Sequence, residues 1–382
     1  MFLLAISLLS LAIWLYLTFL HGHFWSSGPA LPAATPAEDA PSVAVVIPAR
    51  DEAESIVGTI RSLLDQQYSG PLHIILVDDN STDGTAELAR NLVQERKAEG
   101  AISILAGAPL AEGWSGKLWA VHQGLAHPRA LDADYVLLTD ADILHAPAHI
   151  ATLVAKAEIE GLDLVSEMVR LSCATFWERA LIPAFIFFFQ MLYPFARVND
   201  PRSAVAGAAG GTVLLSRAAV DRIEGVSRIR FELIDDCALA ATVKRSGGRI
   251  WLGHSELAIS TRIYRSASEI WRMIARTAYV QLRHSPLLLL GCVAGLLATY
   301  IVPPVLAFAA SGPAQIAAIV TWGLMGICFQ PTLRRYHRIS LWGFALPLIA
   351  LFYLAATVAS AIAHYRGQGG GWKNRVYPSS GA

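Results

Sequence analysis

Four short stretches of this sequence gather acidic side chains. Pro48-Ala49-Arg50-Asp51-Glu52 closes one apolar run, Asp78-Asp79-Asn80-Ser81 a second, and Asp140-Ala141-Asp142 a third. The fourth, Glu232-Leu233-Ile234-Asp235-Asp236, opens a helical pattern over Cys237–Arg245. Each has an ordinary explanation when taken singly. Asp and Asn end strands as turn formers and cap helices, as Asp83 does before Thr85. Acids are also favoured by the dipole at a helix N-terminus. Together they mean more, because clustered carboxylates repel one another unless a cation neutralises them. Mg²⁺ or Mn²⁺ takes such oxygen ligands and shares them with substrate phosphates. Asp140 and Asp142, on either side of Ala141, allow one to hold such a metal and the other to orient it or the substrate. The adjacent acids Asp235 and Asp236 suit a general base, which takes the proton from an attacking hydroxyl.

These motifs need elements to position them. Val43–Pro48, Leu72–Val77, Ile102–Leu105, Tyr135–Leu138 and Leu162–Val169 read as strands. They alternate with helical patterns near Ala53–Leu64, Thr85–Lys97, Lys117–Ala126 and Pro147–Glu160. Such alternation predicts an α/β domain with a mostly parallel sheet covered on both faces. In such sheets ligands bind beyond the carboxyl ends of the strands, which is where the acidic motifs fall. No GxGxxG follows the first strand and the chain has no GxxxxGK[ST], which disfavours a dinucleotide fold and a P-loop. The small-residue loop Gly207–Gly211, before a strand at Thr212–Leu215, permits close backbone approach to a ligand. His254 follows the strand Arg249–Leu252 and is a candidate site residue, although a lone His is more often a surface or packed one.

Only 16% of residues are charged and 54% are hydrophobic. The deficit is local: residues 1–20, 285–333 and 339–363 contain no Asp, Glu, Lys or Arg. This excludes a purely cytosolic enzyme and a disordered chain, and the large charged block argues against a transporter. Residues 1–20 read as an uncleaved anchor, because no Lys or Arg precedes the apolar run as a signal peptide requires. Residues 21–41 read as a linker, 42–285 as the folded domain, 286–363 as transmembrane helices and 364–382 as a basic tail. Spans are expected near 287–309, 314–331 and 341–363. The loop holding Arg334, Arg335, His337 and Arg338 is then cytoplasmic, and the domain with it. Three spans put the tail outside, against the same rule; either a count different by one or a re-entrant piece removes the conflict. The Phe-rich run Leu181–Ala196 is short for a span, and an interfacial helix near 176–197 is expected there. Residues 334–382 hold six Lys and Arg and no acid, which leaves residues 21–284 at a net charge of −6 and excludes a basic nucleic-acid surface. Cys173, Cys237, Cys292 and Cys328 have no CxxC spacing, so neither a zinc site nor a disulfide framework follows.

In this order the motifs resemble glycosyltransferase family 2, whose inverting members have a GT-A (Rossmann-like) fold. Pro48-Ala49-Arg50-Asp51-Glu52-Ala53 looks like that family's first nucleotide-binding loop and Val77–Thr85 its second, with Asp79 near base and ribose. Gly116-Lys117 is similar to its GK segment, Asp140-Ala141-Asp142 to its DxD metal motif, and Asp235-Asp236-Cys237-Ala238-Leu239 with Gly247 and Arg249-Ile250 to its ED block. Gly113–Ala120, Arg276–Ser285 and Trp372-Lys373-Asn374-Arg375 resemble the hopanoid-associated membrane branch. Processive members carry QxxRW; here Gln281-Leu282-Arg283-His284 lacks the Trp, which argues against polymer synthesis.

The resemblance implies a bacterial inner-membrane protein, multi-pass, with a cytoplasmic GT-A domain. It implies transfer of one sugar from a nucleotide diphosphate sugar, a UDP-sugar first among them, to a lipid hydroxyl in hopanoid or related lipid synthesis. On it Asp236 is the base and Asp235 replaces the usual Glu. Pro48, Arg50, Asp51, Glu52, Asp79, Lys117 and Asp140 bind the nucleotide sugar, and Asp142 with Asp140 binds Mg²⁺ or Mn²⁺. Arg276 and Arg283, seven residues apart on one helix face, are placed to bind diphosphate. The partners are the donor, a lipid acceptor and the bilayer, with no nucleic acid. The rival classes are a nucleotidyltransferase acting on a sugar phosphate, which needs a Gly-rich Arg loop that residues 48–52 do not form, and a non-catalytic scaffold of a lipid-synthesis complex.

Overall fold

The computed structural model describes residues 1–34, 38–367, 371–372 and 375–376. Lys373 and Asn374 of the basic tail, and Thr35–Ala37 of the linker, lie outside the described residues. The unbroken apolar run Val43–Ala49 forms β1, buried at every position. It is followed by β2 (Leu72–Asp78), β3 (Ile102–Ala106), β4 (Tyr135–Thr139), β5 (Ile143–His145), β6 (Leu164–Arg170), β7 (Thr212–Ser216) and β8 (Ile250–Ser260). The helices are α1 (Phe2–Phe19), α2 (Ile56–Leu64), α3 (Thr85–Arg96), α4 (Gly116–Leu125), α5 (Pro128–Leu131), α6 (His149–Glu160), α7 (Phe176–Leu192), α8 (Phe195–Val198), α9 (Arg217–Arg222), α10 (Asp235–Arg245), α11 (Ala267–Gln281), α12 (Pro286–Leu296), α13 (Val302–Ala309), α14 (Pro313–Arg335) and α15 (Leu346–Tyr365).

These eight strands form one sheet in the order β3-β2-β1-β4-β7-β6-β8-β5. The half made of β3, β2, β1 and β4 is parallel, as the strand–helix alternation predicts. Beyond it β7 runs antiparallel to both β4 and β6, so the sheet is mixed. The physical reason is the connection. A helical crossover returns the next strand parallel, whereas residues 171–211 make a long excursion through α7 and α8 before β7 enters between its neighbours. The three-residue β5 directly follows Asp142 and pairs antiparallel with the end of β8, Ile143 against Ser260. That pairing carries residues 260–262 to the acidic rim.

One face of the sheet packs Ile56, Ile60, Leu92 and Leu153 from α2, α3 and α6. The other packs α4, α9 and α10, and its core continues through α7 into the apolar helices. Phe187 lies 5.1 Å from Phe24 and 5.1 Å from Phe329, and Phe188 lies 4.9 Å from Tyr353 (ring centroids). Together α7 and α8 are long and apolar enough to cross a membrane. They do not cross it, because β6 before them and β7 after them pair in the same sheet. The helix instead seats the domain on its membrane helices, beside α14 and α15.

Part of the linker is also docked. Pro29 accepts a hydrogen bond from the His254 backbone N–H at 2.7 Å, and Ala34 N–H donates to Thr152 Oγ1 at 2.9 Å. A side chain on Gly253 would clash with Trp251 and with the Pro29 carbonyl, which is why glycine stands there. His254 is itself buried against Phe195, a packed residue as its isolation suggests.

By length and composition Phe2–Phe19, Pro286–Ala309, Pro313–Arg335 and Ser340–Tyr365 are each able to cross a bilayer, in keeping with one N-terminal and three C-terminal segments. Arg335, ending α14, pairs with Glu256 at 2.8 Å and donates to the Ser255 carbonyl at 2.7 Å, so the basic loop lies against the sheet domain. The end of α15 returns beside the turn before α12: His364 stacks on His284 at 4.3 Å, and the Tyr365 and Tyr279 hydroxyls are 2.9 Å apart.

Glu178 is the pin between these layers. It is fully buried at the start of α7 and closes a capping box with Thr175. Its carboxylate accepts from Ala174 N–H (2.9 Å), Thr175 N–H (2.9 Å), Ser172 Oγ (3.0 Å) and Tyr264 N–H (2.7 Å). Removing one partner of such a network strands the others without water. Glu178→Ala is expected to cost about 2–4 kcal/mol, read as a lowered thermal midpoint of the detergent-solubilised chain; an unchanged midpoint contradicts the assignment.

Candidate functional site

A cavity of about 710 Å³ opens over the carboxyl ends of the strands. Strand ends, the Gly210 loop and α10 supply a polar lining that includes Pro48, Glu52, Lys117, Asp140, Asp142, Asp235 and Asp236. The segments around α7 and α11 supply Met168, Leu171, Phe185, Phe189, Met273 and Arg276. One cavity thus has a charged floor and an apolar wall on the elements that face the membrane helices.

The floor is organised by two cations. Lys117, in the first turn of α4, places Nζ 2.9 Å from Asp140 Oδ1 and 3.1 Å from Asp235 Oδ2. It therefore ties the β4 end to the α10 start. Burial works against its ammonium, but Asp140 and Asp235 hold its pKa above the ordinary lysine value. Arg262 donates from Nε to Asp142 Oδ2 at 2.8 Å and reaches Glu52 Oε1 at 3.1 Å. Burial raises the pKa of Asp140; Lys117 opposes the rise and Asp142 adds to it.

Asp236 is fixed by the backbone. Gly210 N–H donates to Oδ2 at 2.8 Å and Cys237 N–H to Oδ1 at 2.7 Å. A side chain at position 210 would come within 3.3 Å of that carboxylate, so the small-residue loop serves close approach to Asp236. Burial, then the neighbouring Asp235, pushes the Asp236 pKa up to about 6, against the pull of Lys117 and the two N–H donors. Tyr193 and Cys237 are the other titratable groups near it, and burial raises the pKa of each. A carboxylate tuned toward neutrality in a cleft is what a general base requires.

The remaining sequence candidates fall outside the cavity lining. Asp79 is buried beneath the rim, 3.6 Å from Arg50. Asp51 adopts a left-handed backbone, φ 51°, and accepts from Thr82 N–H at 2.8 Å. Arg50, Asp51 and Asp79 thus knit the first and second loops together beside the cleft. Arg283 does not share a face with Arg276, because α11 ends at Gln281 and Arg283 has turned to φ 51°. Arg272, one turn before Arg276, lines the cavity instead. Arg262 and Tyr264 line it as well, and sequence reading missed both; the only local signal was polar residues straight after a strand.

Hard oxygen donors at Asp140 and Asp142 suit Mg²⁺ or Mn²⁺. Among the described residues no group of three or more His, Cys, Asp or Glu is arranged to hold a metal. Two carboxylates already balanced by cations fit an ion that a diphosphate helps to ligate, not one held by protein alone.

A mixed sheet with this acidic rim is a GT-A-type domain, here joined to several apolar helices. Residues 44–224 match the family described as Glycosyl transferase family 2. The fold is similar to mannosyltransferase PcManGT of Pyrobaculum calidifontis, solved with GDP-Man and Mn²⁺: TM-score 0.61, 19% identity, covering 94% of this chain and 99% of that one. Undecaprenyl-phosphate 4-deoxy-4-formamido-L-arabinose transferase of Salmonella choleraesuis is 36% identical over 125 residues, 32% of this chain and 35% of that one. The Salmonella paratyphi B protein of the same description is 35% identical over the same length. The chain spans about a third of the length of these curated relatives.

Lys117→Met tests the floor. Without the ammonium, Asp140, Asp235 and Asp236 face one another uncompensated, an expected loss of about 2–4 kcal/mol at neutral pH. The raised pKa values of Asp140 and Asp236 rise further in the variant, so its deficit is fully present above those values and shrinks as acid protonates the two carboxyls. Thermal melts of both proteins across pH check this; a deficit that grows on acidification contradicts it.

Proposed function

We propose that this protein is an inverting glycosyltransferase that moves one sugar from a nucleotide diphosphate sugar, a UDP-sugar first among the candidates, to a hydroxyl of a membrane lipid. The observation that carries the reading is Asp236: a carboxylate with its pKa near 6, lining a cavity that also reaches the Phe185 and Phe189 side chains of α7. The apolar wall supports a lipid acceptor, and the base supports a hydroxyl, which must lose a proton as it attacks.

In the reaction Asp236 takes the hydroxyl proton. The oxygen forms its bond to the anomeric carbon from the face opposite the diphosphate, and the carbon–oxygen bond to the diphosphate breaks. Protonated Asp236 then returns its proton to solvent. The two backbone N–H groups keep the carboxylate aimed, and Lys117 fixes α10 relative to the β4 end. Asp142 and Asp140 would hold Mg²⁺ or Mn²⁺, which offsets charge on the leaving diphosphate when bound.

The resemblance of Gly113–Ala120 and Arg276–Ser285 to the hopanoid-associated branch supports a hydroxylated hopanoid-type lipid as acceptor. The contact of the 334–338 loop with the domain supports a cytoplasmic domain in the bacterial inner membrane by the positive-inside rule. The return of α15 beside the α11–α12 turn supports its end lying on that same side, with α15 re-entrant and not crossing. A second reading, a lipid phosphate acceptor, is favoured by Arg272 and Arg276 in the cavity wall and by the description of the curated relatives. That acceptor is already anionic and has no use for the base.

The test is incubation of the detergent-solubilised chain with UDP- and GDP-sugars, Mn²⁺, and either hydroxylated lipid extract or polyprenyl phosphate, followed by lipid mass spectrometry. A hexose-range mass gain on the hydroxylated lipids is expected; a gain on polyprenyl phosphate alone overturns the hydroxyl reading. Asp236→Asn is expected to lower turnover by about 10²–10⁴-fold while donor binding persists. In the unsubstituted protein turnover falls as pH drops below about 6, because the base must be unprotonated; a flat profile from pH 8 to 5 contradicts the role.

A further inference from the structure

The loop between β8 and α11, residues 261–266, is held at two points. Thr261 N–H donates to the Asp142 carbonyl at 2.8 Å, and Tyr264 N–H donates to buried Glu178 at 2.7 Å. Between those anchors the Arg262 side chain crosses to the acidic rim, where it bridges Asp142 and Glu52, residues from two different strand ends. Its backbone is fixed at both points, and the side chain is 42% exposed.

We propose that Arg262 is a built-in counter-ion that occupies the Asp142 carboxylate until a nucleoside diphosphate and its divalent cation displace it, and that this makes donor and metal binding cooperative. The proposal rests on the reading of Asp142 as a metal ligand. A metal–carboxylate bond of about 2.1 Å at Oδ2 would put a divalent charge within a few ångströms of the guanidinium now 2.8 Å from the same atom. The two positive charges repel at that range, so the metal alone must compete with Arg262. A diphosphate changes the balance: its negative charge accommodates the metal and the released guanidinium together. Lys117 is a different case, since it bridges Asp140 and Asp235 with only 22% of its side chain exposed and stays in place.

Mn²⁺ binding to the full detergent-solubilised chain, read from the free-ion paramagnetic resonance signal with and without UDP or GDP, tests this without any turnover. Arg262→Gln is expected to bind Mn²⁺ alone about tenfold more tightly than the unsubstituted chain. The tightening that the nucleoside diphosphate adds is expected to shrink by about the same factor, as the reciprocity of coupled sites requires. Arg262→Met, which keeps the aliphatic stem, must behave alike, and Arg262→Lys must behave as the unsubstituted chain. Mn²⁺ affinity in Arg262→Gln or Arg262→Met that is unchanged or weaker overturns the proposal. Asp142→Asn separates the two readings: it is expected to lose Mn²⁺ binding under both conditions, and if it binds as before, the metal-ligand assignment itself has failed.

Discussion

Carboxylates from three separate parts of the chain converge on one rim, and like charges at that spacing do not stay together unaided. The structure meets this constraint with Lys117 between Asp140 and Asp235, and Arg262 between Asp142 and Glu52. The sheet order follows from the same need. β1 and β4 are neighbours and set two of the acidic ends side by side, and β5 turns back along β8 to deliver Arg262. Gly210 leaves room for the third, the start of α10.

The site is also tied to the membrane layer by short, buried links. Glu178 joins the start of α7 to the loop that carries Arg262, and α15 lies along α11, with Trp271 and Phe352 rings 5.3 Å apart. One wall of the cavity is therefore made by elements that also pack the apolar helices. In the proposed reaction a lipid acceptor entering along α7 and α11 would meet Asp236 beside the apolar helices.

Much of this was legible in the sequence because it is local. The parallel half of the sheet follows from strand–helix alternation, and Glu52, Asp140, Asp142, Asp235 and Asp236 all line the cavity as their positions at strand ends and at a helix start foretold. What escaped is non-local or depends on where an element stops. Arg262 meets Asp142 across 120 residues through the β5–β8 pairing, which no periodicity encodes. Seven-residue spacing put Arg276 and Arg283 on one face only if the helix continued, and α11 ends between them. The mixed sheet arises from an excursion whose apolar middle resembles a membrane span in composition and is barred from being one by the strands on either side. Asp51 and Asp79 join the first and second loops beside the cavity through Thr82 and Arg50.

The central claim is a single displacement at the anomeric carbon with Asp236 as base. It is tested most directly by the anomeric configuration of the glycolipid product, determined by proton NMR from an α-linked nucleotide sugar. A β-linked product is predicted; an α-linked product would contradict the account.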